Sequence, residues 1–233
     1  LSKGEEGTKE AIPYRKAVGS LIYIATVSRP DIMFAVSKVS RYLNCYNNTH
    51  WNAVKKIIRY LKGTKHYRLV YNKNKDSNIK VYSDADYAGC TDTRRSTTGY
   101  VLVKNGAAIT WNSQRQNSVA LSTMEAEFIA ACAATKEAMW VKQFFNDINV
   151  CIVNPLTLYL DNQSAISFIK NHNYHKHSKH IEVKYNFVKE KYQAKDIDIS
   201  FVSTESQLSD ICTKALSRIK FETFRIQLGL QIS

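Results

Sequence analysis

At 233 residues, with 44% hydrophobic and 23% charged residues, the chain has the composition of a folded globular protein and not of a disordered one. Lys and Arg number 33 against 20 Asp and Glu, a net charge of +13, and such an excess repels itself unless a polyanion is bound, so nucleic acid leads the list of partners. The longest nearly uncharged apolar stretch, Leu21 to Val27, falls far short of the roughly 20 residues of a spanning helix, so no membrane partner is expected.

Residues 1–12 are polar, lack an apolar core of the signal-peptide type and read as a flexible N-terminus. Pro13 stands where a proline opens a helix well, and Tyr14 to Val27 has helical spacing. Ser28-Arg29-Pro30-Asp31 breaks the pattern, after which Ile32, Val36, Val39 and Leu43 form one apolar stripe. Asn48-Thr49 offers an N-cap for a third helix, with Val54, Ile57, Ile58 and Leu61 inward and Gly63 as its stop. Its outer face carries Lys55, Lys56, Arg59 and Lys62. Residues 13–66 thus form a helical segment with one basic side.

From about residue 67 the period changes to alternation. Arg68 to Tyr71 and Ile79 to Ser83 read as strands, and Thr97 to Lys104 with Ala107 to Asn112 as a hairpin about Asn105-Gly106. Two helices follow, Ser122 to Ala134 and Lys136 to Ile148. A strand (Leu156 to Leu160) then runs into a helix (Asn162 to Lys170). After the polar stretch NHNYHKHSKH come a helix (Glu182 to Gln193), a strand (Ile197 to Val202) and a helical segment from Gln207. This order makes residues 67–233 an α/β unit, a mixed sheet with helices on its faces. Trp51, Trp111 and Trp140 read as core. Cys45, Cys90, Cys132, Cys151 and Cys212 are odd in number, scattered and without a CxxC pair, which favours reduced thiols in an intracellular, cytoplasmic protein.

Two strands end alike: VYSD closes on Asp84 and LYLD on Asp161. Alternation puts Asp84 on the face of Tyr82 and Asp161 on the face of Tyr159, so neighbouring strands would bring the two carboxylates together. Like charges so placed need a cation between them. Glu127 shares a helical face with Thr123, Ala130, Ala131 and Ala134, small residues that let the helix lie close to the sheet; Glu125 points elsewhere and is the alternative. Asp210 begins or lies within the last helix. Any one of these acids alone reads as a helix cap or half of a surface ion pair. Taken in the order strand, helix, strand, helix within a basic protein, they point to hard divalent cations, Mg²⁺ above all, and to a two-metal phosphodiester site.

At these residues the chain resembles a known family. VYSDADYAGCTDTRRSTTGY, ALSTMEAEFIA, LYLDNQSAI, HSKHIEVKYNFV and STESQLSDICTKAL resemble, in order, the ribonuclease H domain of copia-type LTR retrotransposons (Pseudoviridae). YRKAVGSLIYIATVSRPDIMFAVSKVSRYL and HWNAVKKIIRYLKGT resemble the segment, thumb included, that joins the polymerase to that domain. The resemblance covers residues 13–230 and implies a ribonuclease H-like five-stranded mixed sheet preceded by a small helical, thumb-like segment. It implies Asp84, Glu127, Asp161 and Asp210 as ligands of two Mg²⁺ ions (Mn²⁺ as a substitute), with Gln163 touching an RNA–DNA hybrid. The activity implied is hydrolysis of the RNA strand of that hybrid during reverse transcription. The implied partner is the polymerase part of the same polyprotein, and an active element would place the chain in a virus-like particle. Two departures stand out: DICTKAL lacks a proline found in DIFTKPL, and Cys90 stands where an acid often does. No histidine matches a bacterial-type loop before the last acid.

Arg94 and Arg95, just past Asp84, are placed to reach the scissile strand's backbone, and the basic face of the third helix to reach phosphates. His180 matches the family's KHI block and reads as a structural or phosphate-side contact; with His172, His175 and His177 it lacks cysteine partners for zinc. The rival reading is a catalytically silent, domesticated module that only binds nucleic acid. Polymerase activity is not expected, because no Tyr-x-Asp-Asp turn is present, and an integrase-type site would order its acids Asp, Asp, Glu. Oligomeric state is not readable.

Overall fold

Tyr14, Val18, Leu21 and Ala25 recur at helical spacing and give the first helix, α1 (Tyr14–Val27), one fully buried stripe. The structure, a computed structural model, describes residues 1–2, 12–171 and 179–232, without the side chains of 179–182 and 185. The expected flexibility of residues 1–12 and the histidines at 172, 175 and 177 therefore fall almost wholly outside the described residues.

A 3₁₀ turn (Pro30–Ile32) leads into α2 (Met33–Ser40), and α3 spans Asn48–Gly63. Their apolar faces meet in one cluster of Val18, Leu21, Val36, Val39, Val54 and Ile57. The Tyr14 hydroxyl donates to the Val39 carbonyl at 2.8 Å. The break after α1 holds a buried ion pair: Arg29 clasps Asp31 at 2.8 and 2.9 Å, Tyr60 donates to Asp31 at 2.6 Å, and Arg29 reaches Thr64 at 2.7 Å. Two expectations need correction. The cap of α3 is Asn47, whose side chain accepts from the Thr49 and His50 amides while its own N–H donates to His50 Nδ1, a reciprocal box that Asn48 cannot make. Ile58 is 43% exposed and not inward, because the buried stripe of α3 turns through Val54 and Ile57.

The strands β2 (Lys80–Asp86), β3 (Thr97–Lys104), β4 (Ala107–Arg115), β5 (Leu156–Leu160) and β6 (Ile197–Phe201) form one sheet in the order β4-β3-β2-β5-β6. The hairpin pairs are antiparallel, while β2/β5 and β5/β6 are parallel. This is the ribonuclease H-like mixed sheet that the resemblance implied. Asn105 and Gly106 both have positive φ, 54° and 76°, as the tight hairpin turn requires. One face of the sheet packs α4 (Thr123–Asp147), α5 (Gln163–Lys170) and α6 (Lys179–Gln193) over Val81, Leu102, Leu158 and Ile199. On the other face Val101 and Ala108 meet Leu208 and Ile211 of a 3₁₀ turn, Leu208–Cys212, and Phe224 of α7 (Arg218–Gln227).

The helix from Ser122 is one 25-residue element, not two. Thr135, at the expected break, returns its hydroxyl to the Ala131 carbonyl at 2.8 Å and so sits inside the helix without disrupting it. Trp140, expected in the core, is 61% exposed and stacks on Phe144 one turn along. The first strand is shorter than expected: β1 (Tyr67–Leu69) stands outside the main sheet and pairs with β7 (Leu230–Ile232), which the alternation did not reveal. The helical segment docks on the sheet through polar contacts as well as packing. Trp111 Nε1 donates to the Ala25 carbonyl at 2.7 Å, and Arg41 to Thr97 Oγ1 at 3.2 Å. Among the described residues no helix is long and apolar enough to cross a membrane.

Candidate metal centre

Strands β2 and β5 run parallel with Tyr82 opposite Tyr159, and the two rings stack at 5.0 Å. Two residues beyond that pair on each strand stand Asp84 and Asp161. Asp84 lies inside β2, two residues before its end, and is almost fully buried; Asp161 follows β5 and is half-buried. From the opposite face Ala126, Ala130, Ala131 and Ala134, all without exposed surface, let α4 lie against the sheet and carry Glu127 to the strand ends. Carboxylate oxygens of Asp84, Glu127 and Asp161 lie within 4.8 Å of one another. Glu125 is elsewhere: its carboxylate accepts the Leu121 amide at 2.8 Å and closes the N-terminus of α4 begun by the Ser122 cap.

Asp210 belongs to the 3₁₀ turn Leu208–Cys212 and not to a helix, since α7 begins only at Arg218. It is not one of the three clustered acids. Its fully buried carboxylate is held by Lys214 Nζ at 2.8 Å and by Lys220 Nζ at 3.0 Å, and Lys214 also stands 3.8 Å from Asp84. Lys220 further donates to the Thr204 carbonyl at 2.8 Å, and the Thr204 hydroxyl donates to Asp161 at 2.9 Å. One polar chain therefore joins all the strand and turn acids.

Three residues that sequence reading passed over build this arrangement. Gln207, fully buried, donates to the Ser83 carbonyl at 2.9 Å and to the Tyr159 carbonyl at 3.4 Å, just where the β2–β5 pairing ends, and its own oxygen accepts from Ser209. Thr213 donates to Asp84 Oδ2. Gly99 pairs with Asp84 across β2 and β3, and a Cβ there would lie 2.5 Å from Thr213 Cγ2 and 2.9 Å from Cys212 Cβ. The missing side chain is what admits the turn to the sheet. The signal was present in QLSDICTK, but its contacts span about half the chain.

Burial raises the Asp84 carboxyl to about 7, and the nearby Asp210 and Asp161 push the same way against Lys214 and the Thr213 hydroxyl. Burial likewise lifts Glu127 well above the usual carboxylate range, with Asp84 and Asp161 adding to it while the Ala85 amide opposes. Glu127 Oε2 is buried and has no hydrogen-bond partner among the described residues. Buried hard oxygens that repel one another, one of them unpaired, are the donor set a divalent cation satisfies.

The remaining sequence candidates surround the acids unevenly. Gln163 is the exposed first residue of α5, directly after the Asn162 cap and two residues from Asp161. Arg94, at φ 54°, is exposed and Arg95 half-buried in the turn between β2 and β3. Lys55, Lys56, Arg59 and Lys62 are exposed on α3. Lys56 faces a cavity of about 360 Å³ that Lys38 of α2 and Lys214 also line, whereas Lys62 lines a separate groove against α1. The backbone of His180 lies in α6, but its side chain is outside the described residues.

No protein-family model matches the chain. It is 42% identical over 226 residues to the retrovirus-related Pol polyprotein from transposon TNT 1-94 of Nicotiana tabacum, covering 97% of this chain and 17% of that protein. It is 36% identical to the corresponding polyprotein from transposon RE2 of Arabidopsis thaliana, covering 96% of this chain and 16% of that protein. Thus it spans about one sixth of the length of these relatives. Among solved structures it is similar to LC11-RNase H1, isolated from compost, with 13% identity, 59% of this chain and 93% of that one covered, and a TM-score of 0.44.

Proposed function

The chain belongs to the retrovirus-related Pol polyproteins of copia-type transposons, matching one part of their length, and from that premise we propose that it is their ribonuclease H. The substrate proposed is the RNA strand of an RNA–DNA hybrid, cut to a 5′-phosphate and a 3′-hydroxyl. The observation that carries the reading is the convergence of Asp84, Glu127 and Asp161 inside a protein of net charge +13. A pure binding module gains nothing from buried carboxylates turned toward phosphate.

Asp84, Glu127 and Asp161, with Asp210 beside them, would hold Mg²⁺ or Mn²⁺. Two such ions supply, when bound, Lewis acidity to the attacking water and to the departing 3′ oxygen. The chain's own groups do the rest. The Tyr82–Tyr159 stack and the Gln207 amide fix the spacing of the two aspartates. Gln163, Arg94 and Arg95 are proposed to position the hybrid, by contacts to the minor groove and to phosphates. Residues 13–66 are proposed as a thumb-like segment whose basic α3 face follows the backbone of the same duplex, and the polymerase part of the polyprotein as its neighbour. His180 is proposed on the phosphate side.

The test is a substrate panel of labelled RNA–DNA hybrid, RNA duplex and DNA duplex offered to the purified chain with Mg²⁺. The expected result is scission of the RNA strand of the hybrid alone. Salt-sensitive binding of all three without scission would favour the silent nucleic-acid-binding module.

A further inference from the structure

The four acids are not equivalent. Glu127 keeps a buried oxygen without a hydrogen-bond partner among the described residues, and Asp84, Glu127 and Asp161 face one another. Asp210 differs in charge pairing: Lys214 Nζ stands 2.8 Å from Oδ1 as an ion pair without an aligned hydrogen bond, and Lys220 Nζ donates to Oδ2 at 3.0 Å. Lys214 also spans toward Asp84 at 3.8 Å, so its ammonium lies between the two carboxylates that flank it. The site thus contains one set of oxygens held mainly by hydroxyls and one set already neutralised by ammonium groups.

Resting on the metal-site reading above and refining it, we infer that Lys214 is a built-in counter-cation that competes with the second divalent ion for Asp84 and Asp210. The first ion would enter the Asp84–Glu127–Asp161 cluster against the Thr213 and Thr204 hydroxyls alone, without breaking an ion pair of Asp210. A second ion at the Asp84–Asp210 side must move an ammonium from its ion pair. Lys214 is free to move: its side chain is 37% exposed and opens onto the cavity shared with Lys38 and Lys56. Lys220 is more enclosed, at 20%, and is anchored to the Thr204 carbonyl, so it keeps Asp210 oriented while Lys214 swings away. Occupancy of the second position is therefore set by cation concentration, and the chain passes between a one-ion and a two-ion state.

The experiment is titration of the whole chain with Mn²⁺, with free Mn²⁺ counted by electron paramagnetic resonance, for the parent, Lys214→Gln and Lys214→Arg. The expected parent binds one ion with a second weaker by roughly tenfold or more; Lys214→Gln tightens the second by roughly tenfold, a coupling of ordinary size between sites, and Lys214→Arg keeps the parent pattern. Two equally tight ions in the parent, or an unchanged second ion in Lys214→Gln, would overturn the inference while leaving the metal site standing. No bound ion in any of the three would overturn the metal site itself and the inference with it.

Discussion

Tyr82 and Tyr159 face each other across the parallel β2–β5 ladder with their rings stacked at 5.0 Å, and this pair sets the site. Because side chains alternate along a strand, the residues two further on, Asp84 and Asp161, return to the same face of the sheet. Their carboxylates are forced together by register, not drawn together by attraction. The buried polar contacts of Gln207 and Thr213 then hold a geometry that the charges alone would open.

The strain of those charges should appear as a pH dependence of stability. Asp84, raised to about 7 when folded and near 3.8 when unfolded, keeps its proton in the folded state while the unfolded state has lost it. Stability therefore falls as pH rises from about 4 to about 7 and levels off above. Thermal melts in EDTA should show this decline, Asp84→Asn should reduce it while the buried Glu127 keeps a part of the same sign, and Mg²⁺ should offset it. A parent that gains stability across that window contradicts the burial argument.

Gly99→Ala should disturb the site without touching an acid. Its methyl would meet Thr213 Cγ2 and Cys212 Cβ inside contact distance and push the Asp210 turn off the sheet. Overpacking of this kind costs about 1–3 kcal/mol, and Thr213→Ser in the same chain should restore part of it. Chemical denaturation of the single and double variants measures both.

Gln207→Leu removes the amide that closes the end of the β2–β5 ladder. The Ser83 and Tyr159 carbonyls and the Ser209 hydroxyl would be left buried and unpaired, a loss of about 2–3 kcal/mol. Divalent-ion affinity should fall with it, since Asp84 and Asp161 lose their fixed spacing. Unchanged ion binding in a folded variant would show that the ladder holds its spacing unaided.

Replacing Lys55, Lys56, Arg59 and Lys62 together by Gln should weaken hybrid binding and reduce its salt dependence, by about one unit of slope for each phosphate no longer neutralised. All four are exposed, so the melting behaviour should hardly change. Binding isotherms at several salt concentrations give the answer, and an unaltered slope removes this helix face from the interface.

Most strands and helices, and the pairing of Asp84 with Asp161, were legible in the sequence because they rest on local periodicity. The Asn-Gly hairpin and the β2 and β5 runs carry their own signals at short range. What escaped depends on distance or on competing local rules. Lys136 looked like the start of a second helix after Ala134, yet Thr135 satisfies its hydroxyl within the turn and α4 continues. In the run Asn47-Asn48-Thr49 any of the three could cap, and only the reciprocal bond with His50 selects Asn47. β7 is three residues long, too short for alternation to register, and is fixed by its partner β1 at the other end of the sheet-forming chain. Asp210 was found as an acid, but its lysine partners and the 3₁₀ geometry emerge only when the turn meets a strand about 130 residues earlier.

The clustered carboxylates are proposed above to serve a metal-dependent nuclease for RNA paired to DNA. Its most direct measurement is the rate of RNA-strand cleavage in a labelled hybrid with Mg²⁺, for the parent, the parent in EDTA, and an Asp161→Asn variant shown by circular dichroism to be folded. Cleavage is expected from the parent alone, with the other two slower by about a hundredfold or more, the scale on which losing a charge-stabilising group acts in catalysis. Equal cleavage by folded Asp161→Asn, or cleavage that survives EDTA, would contradict it.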